Sequence, residues 1–148
     1  MVIKVKITTY TDFGIRTLMY LSTLPKGQRS SSAEVADVYQ ASRNHIAKVI
    51  AHLSSLDYIK SSRGKNGGIW LAKSASEINV GQLVRALENN LRGFDDNTSD
   101  NDLVPTYQLK NVLQTGIDAF LNTLDQYSLA DLLDEQHEFE SLCYMKQA

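Results

Sequence analysis

The stretch Ser31–Ala72, SSAEVADVYQASRNHIAKVIAHLSSLDYIKSSRGKNGGIWLA, changes its hydrophobic period partway along, and that change decides the fold. Ser31 followed three residues later by Glu34 is a capping-box pattern. It opens a short helix that buries Val35, Ala36 and Val38. Gln40 and Ala41 form a tight turn. Ser42 then caps a helix in which Ile46, Val49, Ile50, Leu53 and Leu56 recur at three- and four-residue steps, an amphipathic stripe. After Asp57 the residues read as strands: Tyr58–Ser62, a glycine-rich turn over Arg63–Gly68, and a returning strand from Ile69 to Ala72.

Upstream, Thr11 is the expected cap of a helix through DFGIRTLMYLSTL, stopped by Pro25-Lys26-Gly27. The expected architecture is therefore mainly α with a small β-wing, a winged helix-turn-helix. Downstream, Asn79 caps a helix from Val80 to about Glu88. The acidic run GFDDNTSDNDLVPTY, Gly93–Tyr107, follows. A connection this long in a small domain either binds something, senses something or is solvated. A helix from about Gln108 to Tyr127 comes next, striped by Leu109, Val112, Leu113, Gly116, Ile117, Phe120, Leu121 and Leu124. At 1.5 Å per residue it spans roughly 30 Å. One small domain leaves part of that stripe uncovered, and a second copy of the chain would cover it, so a C-terminal dimerisation helix is expected. Ser128 caps one more short helix. The expected division is residues 1–80 as the DNA-binding domain, and 81–148 as helix, acidic loop and dimerisation helix.

A chain of 148 residues that is 43% hydrophobic can bury one real core. No apolar run approaches the roughly 20 residues of a membrane span. The start has too short an apolar stretch for a secretory signal. Cys143 is the single cysteine, so an intrachain disulfide is excluded and a cytoplasmic setting is expected. The overall charge of −2 is unevenly divided. Residues 1–80 carry eleven Lys/Arg and five Asp/Glu, a net +6, whereas residues 81–148 carry four and twelve, a net −8. A basic half beside an acidic half points to a polyanion partner for the first half, or is incidental.

Those residues suit duplex DNA. The helix after Ser42 keeps its apolar stripe inward and offers Arg43, Asn44, Ala47, Lys48 and Ala51 outward. In a major groove, Asn pairs bidentately with adenine and Arg or Lys with guanine, while Ala47 permits close approach. Ser42 and the first backbone amides suit a phosphate. His45 lies beside them, as a phosphate contact or a surface histidine. At the wing tip, Arg63 and Lys65 on a glycine-flanked turn reach a phosphate backbone or a minor groove. The alternative is a solvated hairpin whose glycines only make a turn.

Five segments, YTDFGIRTLMYLSTLP, EVADVYQASRNHIAKVIAHLSSLDYI, RGKNGGIWLAK, INVGQLVRALE and SLADLL, resemble the Rrf-two family of bacterial winged-helix regulators. They are most similar to its nitric-oxide-sensing repressor (NsrR) branch. The resemblance runs from about Thr8 to near the end of the chain. It implies a homodimer, joined through the helix at 108–127, that binds a palindromic site in double-stranded promoter DNA and represses transcription. By matching position it implies DNA contacts at Ser42, Arg43, Asn44, Lys48 and Arg63, with Lys65 beside them.

Sensing members of that family hold an iron–sulfur cluster on three cysteines in the loop before the dimerisation helix. The matching positions here fall near Asp96, at Asn101 and at Tyr107, none of them cysteine. Thiolates are the ligands such clusters need, so no cofactor is expected. Asp12 matches a carboxylate ligand that the branch takes from the partner subunit; its alternative is a first-turn acid favoured by the helix dipole. Asp95, Asp96, Asp100 and Asp102 are hard oxygen donors. Read from Asp95, the sixth and twelfth positions of a calcium loop are Asp100 and Thr106, so the EF-hand pattern fails. His52 and His137 lack metal-ligand spacing, and Cys143 reads as a packed or incidental thiol. Trp70, Tyr58 and Phe13 are expected to pack the wing on the first helix, or to line a small-molecule pocket.

No nucleophile–base pair, phosphate loop or HExxH motif is present, so an enzyme is not expected. The leading expectation is a cluster-free dimeric regulator whose signal is a small molecule near the loop and dimer helix, or none. The alternative is a redox or gas sensor using a non-cysteine site.

Overall fold

The computed structural model of the chain describes residues 6–89, 91 and 107–133. Gly93–Thr106, His137 and Cys143, which carry several of the expectations above, lie outside those residues.

The first helix, α1 (Thr9–Thr23), starts a turn earlier than the sequence suggests. Thr8, not Thr11, is its cap, and Thr11 is buried. The reason is Glu88. Its carboxylate accepts from the Thr8 amide and the Thr8 hydroxyl, each at 3.0 Å, and from the Thr11 hydroxyl at 2.7 Å. An anion at the helix N-terminus satisfies otherwise orphaned donors, so the helix nucleates there.

Helix α2 (Ser32–Tyr39) is capped by Ser31, whose side chain accepts from the Glu34 amide. The Glu34 carboxylate turns instead to the Ser30 hydroxyl at 2.7 Å, so the capping box is only half formed. The turn into α3 (Arg43–Ser55) places Gln40 in the left-handed region at φ 51°. The Ala41 amide bonds the Ala36 carbonyl and the Gln40 amide bonds the Asp37 carbonyl, which together make a Schellman motif. Asp57, at φ 63°, ends α3 in the same way, through Tyr58 N–H to Leu53 C=O and Asp57 N–H to Ser54 C=O.

Strands β1 (Ile59–Ser62) and β2 (Gly68–Leu71) pair antiparallel, with Ile59 opposite Leu71 and Ser62 opposite Gly68. Ser30 exchanges two backbone hydrogen bonds with Ile69, at 2.9 and 3.0 Å, an isolated bridge on the side of β2 away from β1. The backbone of Gly68 passes so close to Ser30 and Arg29, at φ 148°, that no side chain fits there.

A 3-10 turn (Ala75–Glu77) leads to α4 (Val80–Leu87), capped by Asn79 as expected. Helix α5 (Tyr107–Leu124) is 18 residues long and ends before Tyr127. The chain leaves the helix there to pair backward: Val80 N–H bonds Tyr127 C=O at 3.0 Å, and Leu129 N–H bonds Ile78 C=O at 2.8 Å. Asp125 anchors this junction. Its carbonyl accepts from Asn79 and its carboxylate grips Arg85, while α4 approaches closely enough that any side chain at Gly81 would collide with it. Ser128 and Asp131 bond reciprocally and start a final 3-10 turn, Ala130–Leu133.

The main core gathers Leu18, Val35, Ile46, Val49, Leu53, Ile78, Leu83 and Leu87, with Leu129 closing it from beyond α5. A smaller cluster, Val80, Val84, Ile117 and Leu121, seats α5 on α4. Phe13, Tyr58 and Trp70 are expected to pack the wing on the first helix, and Phe13 and Tyr58 do both join the main core, where β2 lies against α1. In the fold, Tyr58 is buried in the main core, Phe13 lies over α3, and Trp70 faces Arg29.

Candidate nucleic-acid interface

Burial of Ile46, Val49, Ile50 and Leu53 fixes the rotation of α3, and that rotation decides which side chains face outward. Ser42, Arg43, Asn44, Ala47, Lys48 and Ala51 are all exposed. The Ser42 hydroxyl accepts from the His45 amide at 3.4 Å and starts the helix. Arg43 has only a loose ion pair, 3.9 Å to Asp37, with both side chains largely in solvent. Such a pair holds a side chain weakly and yields readily to a phosphate or base.

His45 departs from the surface role. Its ring lies edge-on to Phe13, with centroids 5.5 Å apart, and tilted against Tyr10 at 6.2 Å. Its Nε2 is buried with no hydrogen-bond partner among the described residues. The imidazole therefore packs α1 against α3. About two helical turns further along α3, His52 Nδ1 meets the Tyr10 hydroxyl at 2.7 Å. Burial pushes the Tyr10 phenol above its ordinary range, so it stays protonated.

Arg63 and Lys65 project at the wing tip, exposed and without an ion pair to any described residue. Arg29, which the sequence reading counted only as charge, holds the tip in shape. Its guanidinium donates to the Ser62 hydroxyl at 3.0 Å and the Asn66 carbonyl at 2.6 Å, and stacks 4.1 Å over Trp70. The available signal was an arginine just before a residue that pairs with the wing, visible only once Ser30 is known to join the sheet. Lys73 sits 5.1 Å over the Tyr58 ring. The first turn of α3 and the wing tip thus each present exposed donors and cations that can meet a polyanion.

On α1, Asp12 lies in the first turn and pairs with Arg16 at 2.9 Å, both half exposed. Tyr107 opens α5 and is exposed. No group of three His, Cys, Asp or Glu able to hold a metal occurs among the described residues. With one cysteine in the chain, the donor set does not fit a cluster held by three of the chain's own thiolates. Among the described residues no helix is long and apolar enough to cross a membrane.

Comparison with known proteins agrees with this geometry. A family model described as Rrf2, "Iron-dependent Transcriptional regulator", matches residues 7–135. Among solved structures, the chain is similar to T. potens IscR, at 27% identity and TM-score 0.71, with 90% of each chain covered. It is also similar to Staphylococcus aureus CymR in its oxidized form, at 25% identity and TM-score 0.69, covering 88% of this chain and 97% of that one. CymR (YrzC), the global cysteine regulator of B. subtilis, shares the fold at 22% identity and TM-score 0.66, covering 87% and 96%. With the family model spanning most of its length, this chain belongs to the Rrf2 family of DNA-binding transcriptional regulators.

Proposed function

We propose that the protein is a homodimeric repressor that binds a palindromic promoter site and works without an iron–sulfur cluster. The observation that carries this reading is the exposed donor face of α3, together with a wing tip whose cations have no ion pair among the described residues. In this reading Arg43, Asn44 and Lys48 enter the major groove, Ser42 fixes register against a phosphate, and Arg63 with Lys65 grips the backbone or minor groove. Residues 1–80 do the binding and residues 81–148 join the subunits. The segments similar to the nitric-oxide-sensing branch support a place near it, and the absence of loop cysteines supports a member that does without the cluster. The setting is cytoplasmic.

Dimerisation is supported by α5. Tyr107 is 73% exposed and Val112 66%, and Leu109 and Phe120 are exposed along the same helix. A run of large apolar side chains in water marks an interaction surface. A second copy, related by a two-fold axis, would also supply the second reading head that a palindrome requires.

The test uses fluorescence anisotropy on a duplex selected by the wild-type protein from a random pool, in the same buffer as an unrelated duplex. Binding should favour the selected duplex and weaken steeply with salt, as phosphate contacts release counterions. Arg63→Ala should cost about 1–3 kcal/mol, roughly five- to 150-fold in affinity. Equal affinity for both duplexes at moderate salt would end this reading, and an unaffected Arg63→Ala would remove the wing from it. Anaerobic preparations containing stoichiometric iron and sulfide would refute the cluster-free part.

A further inference from the structure

Beside the first turn of α3 lies a cleft of about 430 Å³ lined by Tyr10, Ser42, Asn44, His45 and Lys48. Only one of these residues comes from α1, and nothing in the DNA-binding reading so far uses it. We propose that Tyr10 is a DNA contact residue, and that this cleft seats one phosphodiester of the duplex backbone. The proposal rests on the DNA-binding reading above and deepens it.

Four of the five lining side chains can serve an anion: two hydroxyls, an amide and an ammonium. None is a carboxylate. Asp12 of α1 is paired with Arg16 at 2.9 Å, and Asp37 of α2 lies loosely beside Arg43 at 3.9 Å. His45 forms the wall, its ring packed on Tyr10 and Phe13. His52 aims the phenol: with its proton on Nδ1 it donates to the Tyr10 oxygen, and the Tyr10 O–H is left to donate into the cleft. A hydrogen bond to a phosphate oxygen is charge-assisted, and the cleft lies next to the base-reading positions. The phosphate would thus set how far Arg43 and Asn44 enter the groove. His52 is a positioning residue acting through Tyr10.

Tyr10→Phe removes one oxygen and keeps the ring against His45. It should weaken binding about tenfold, equally on the selected and unrelated duplexes, because a backbone contact carries no sequence information. His52→Leu should weaken binding too, and should add nothing once Tyr10 is Phe. The decisive arm uses duplexes with a neutral methylphosphonate at one backbone position at a time. At one position per half-site the Tyr10→Phe penalty should vanish, which loss of folding stability would not produce. A penalty that persists on every methylphosphonate duplex, or no penalty at all, overturns the proposal while leaving the regulator reading intact. Wild-type protein that binds no duplex overturns both. Inorganic phosphate alone, titrated without DNA, should leave the Tyr10 ring resonances in place at millimolar concentration. A saturable shift there would assign the cleft to a free anion and overturn the DNA contact.

Discussion

Helices α3 and α5 carry the same kind of apolar stripe and meet opposite fates. In α3 the stripe disappears into the main core, with Ile46, Val49 and Leu53 all at 0% exposure. In α5 only Ile117 and Leu121 are covered, by Val80 and Val84 of α4, while Tyr107, Leu109, Val112 and Phe120 stand in solvent. The difference is supply: α1, α2 and β1 all pack on α3, whereas among the described elements α5 rests mainly on α4. Periodicity specifies that a face is to be buried and leaves open which molecule buries it.

The largest expected effect breaks the α3 side. Leu53→Ala empties a fully buried site and should cost about 2–5 kcal/mol, read by denaturant unfolding as a lower midpoint at unchanged slope. The matched change on α5, Val112→Glu, should leave the stability of a dilute subunit within about 0.5 kcal/mol. It should instead abolish the rise of the melting temperature with protein concentration that a dimer shows. If Val112→Glu unfolded the chain as Leu53→Ala does, or left a concentration-dependent dimer intact, the contrast between the two helices would collapse.

That contrast also explains what could be read beforehand. The helix-turn-helix and wing were legible because each element carries its own signal: Ser42 as cap, the step of Ile46, Val49 and Leu53, and the glycines of the wing turn. The outward position of Arg43, Asn44, Ala47, Lys48 and Ala51 followed by subtraction, as what remains once the stripe turns inward. Positions decided by distant partners were not legible. Thr11 and Thr8 are equally good caps locally, and only Glu88, 80 residues from Thr8, chooses between them. His45 looks like a surface residue until Tyr10 and Phe13 are folded over it. Arg29 matters only because Ser30 pairs with Ile69. The end of α5 was overestimated because its termination depends on Asn79 and Arg85 capturing Asp125.

A smaller effect tests the joint between the two regions. Glu88 ends α4, one step before the segment leading to α5, and holds the start of α1, which presents Tyr10 to the cleft. Glu88→Gln keeps the shape and the acceptor oxygen but removes the charge facing the helix N-terminus. It should cost about 1–2 kcal/mol of stability, since charge-assisted bonds become neutral ones and the dipole loses its anion. Thr11→Val should cost about as much, and the two together should cost less than their sum, because they share one contact. Full additivity would show that Glu88 and Thr11 do not act as a pair.

The smallest effect lies in the turn that aims α3. Gln40 adopts a left-handed backbone because the Schellman bonds of α2 require it, a conformation that costs a side-chain-bearing residue about 1 kcal/mol. Its side chain is exposed and makes no hydrogen bond among the described residues, so Gln40→Gly trades the strain against the greater freedom of glycine in the unfolded chain. The balance should be a gain of about 0.5 kcal/mol, seen as a rise of about 1–2 °C in the thermal midpoint of a chain this size. Gln40→Val should move the midpoint the other way, since a β-branched residue is the least tolerant of positive φ. DNA affinity should follow neither change, because the turn keeps its geometry in the folded state. A loss of stability in Gln40→Gly would mean that the glutamine side chain, rather than the backbone bonds alone, holds the angle between α2 and α3.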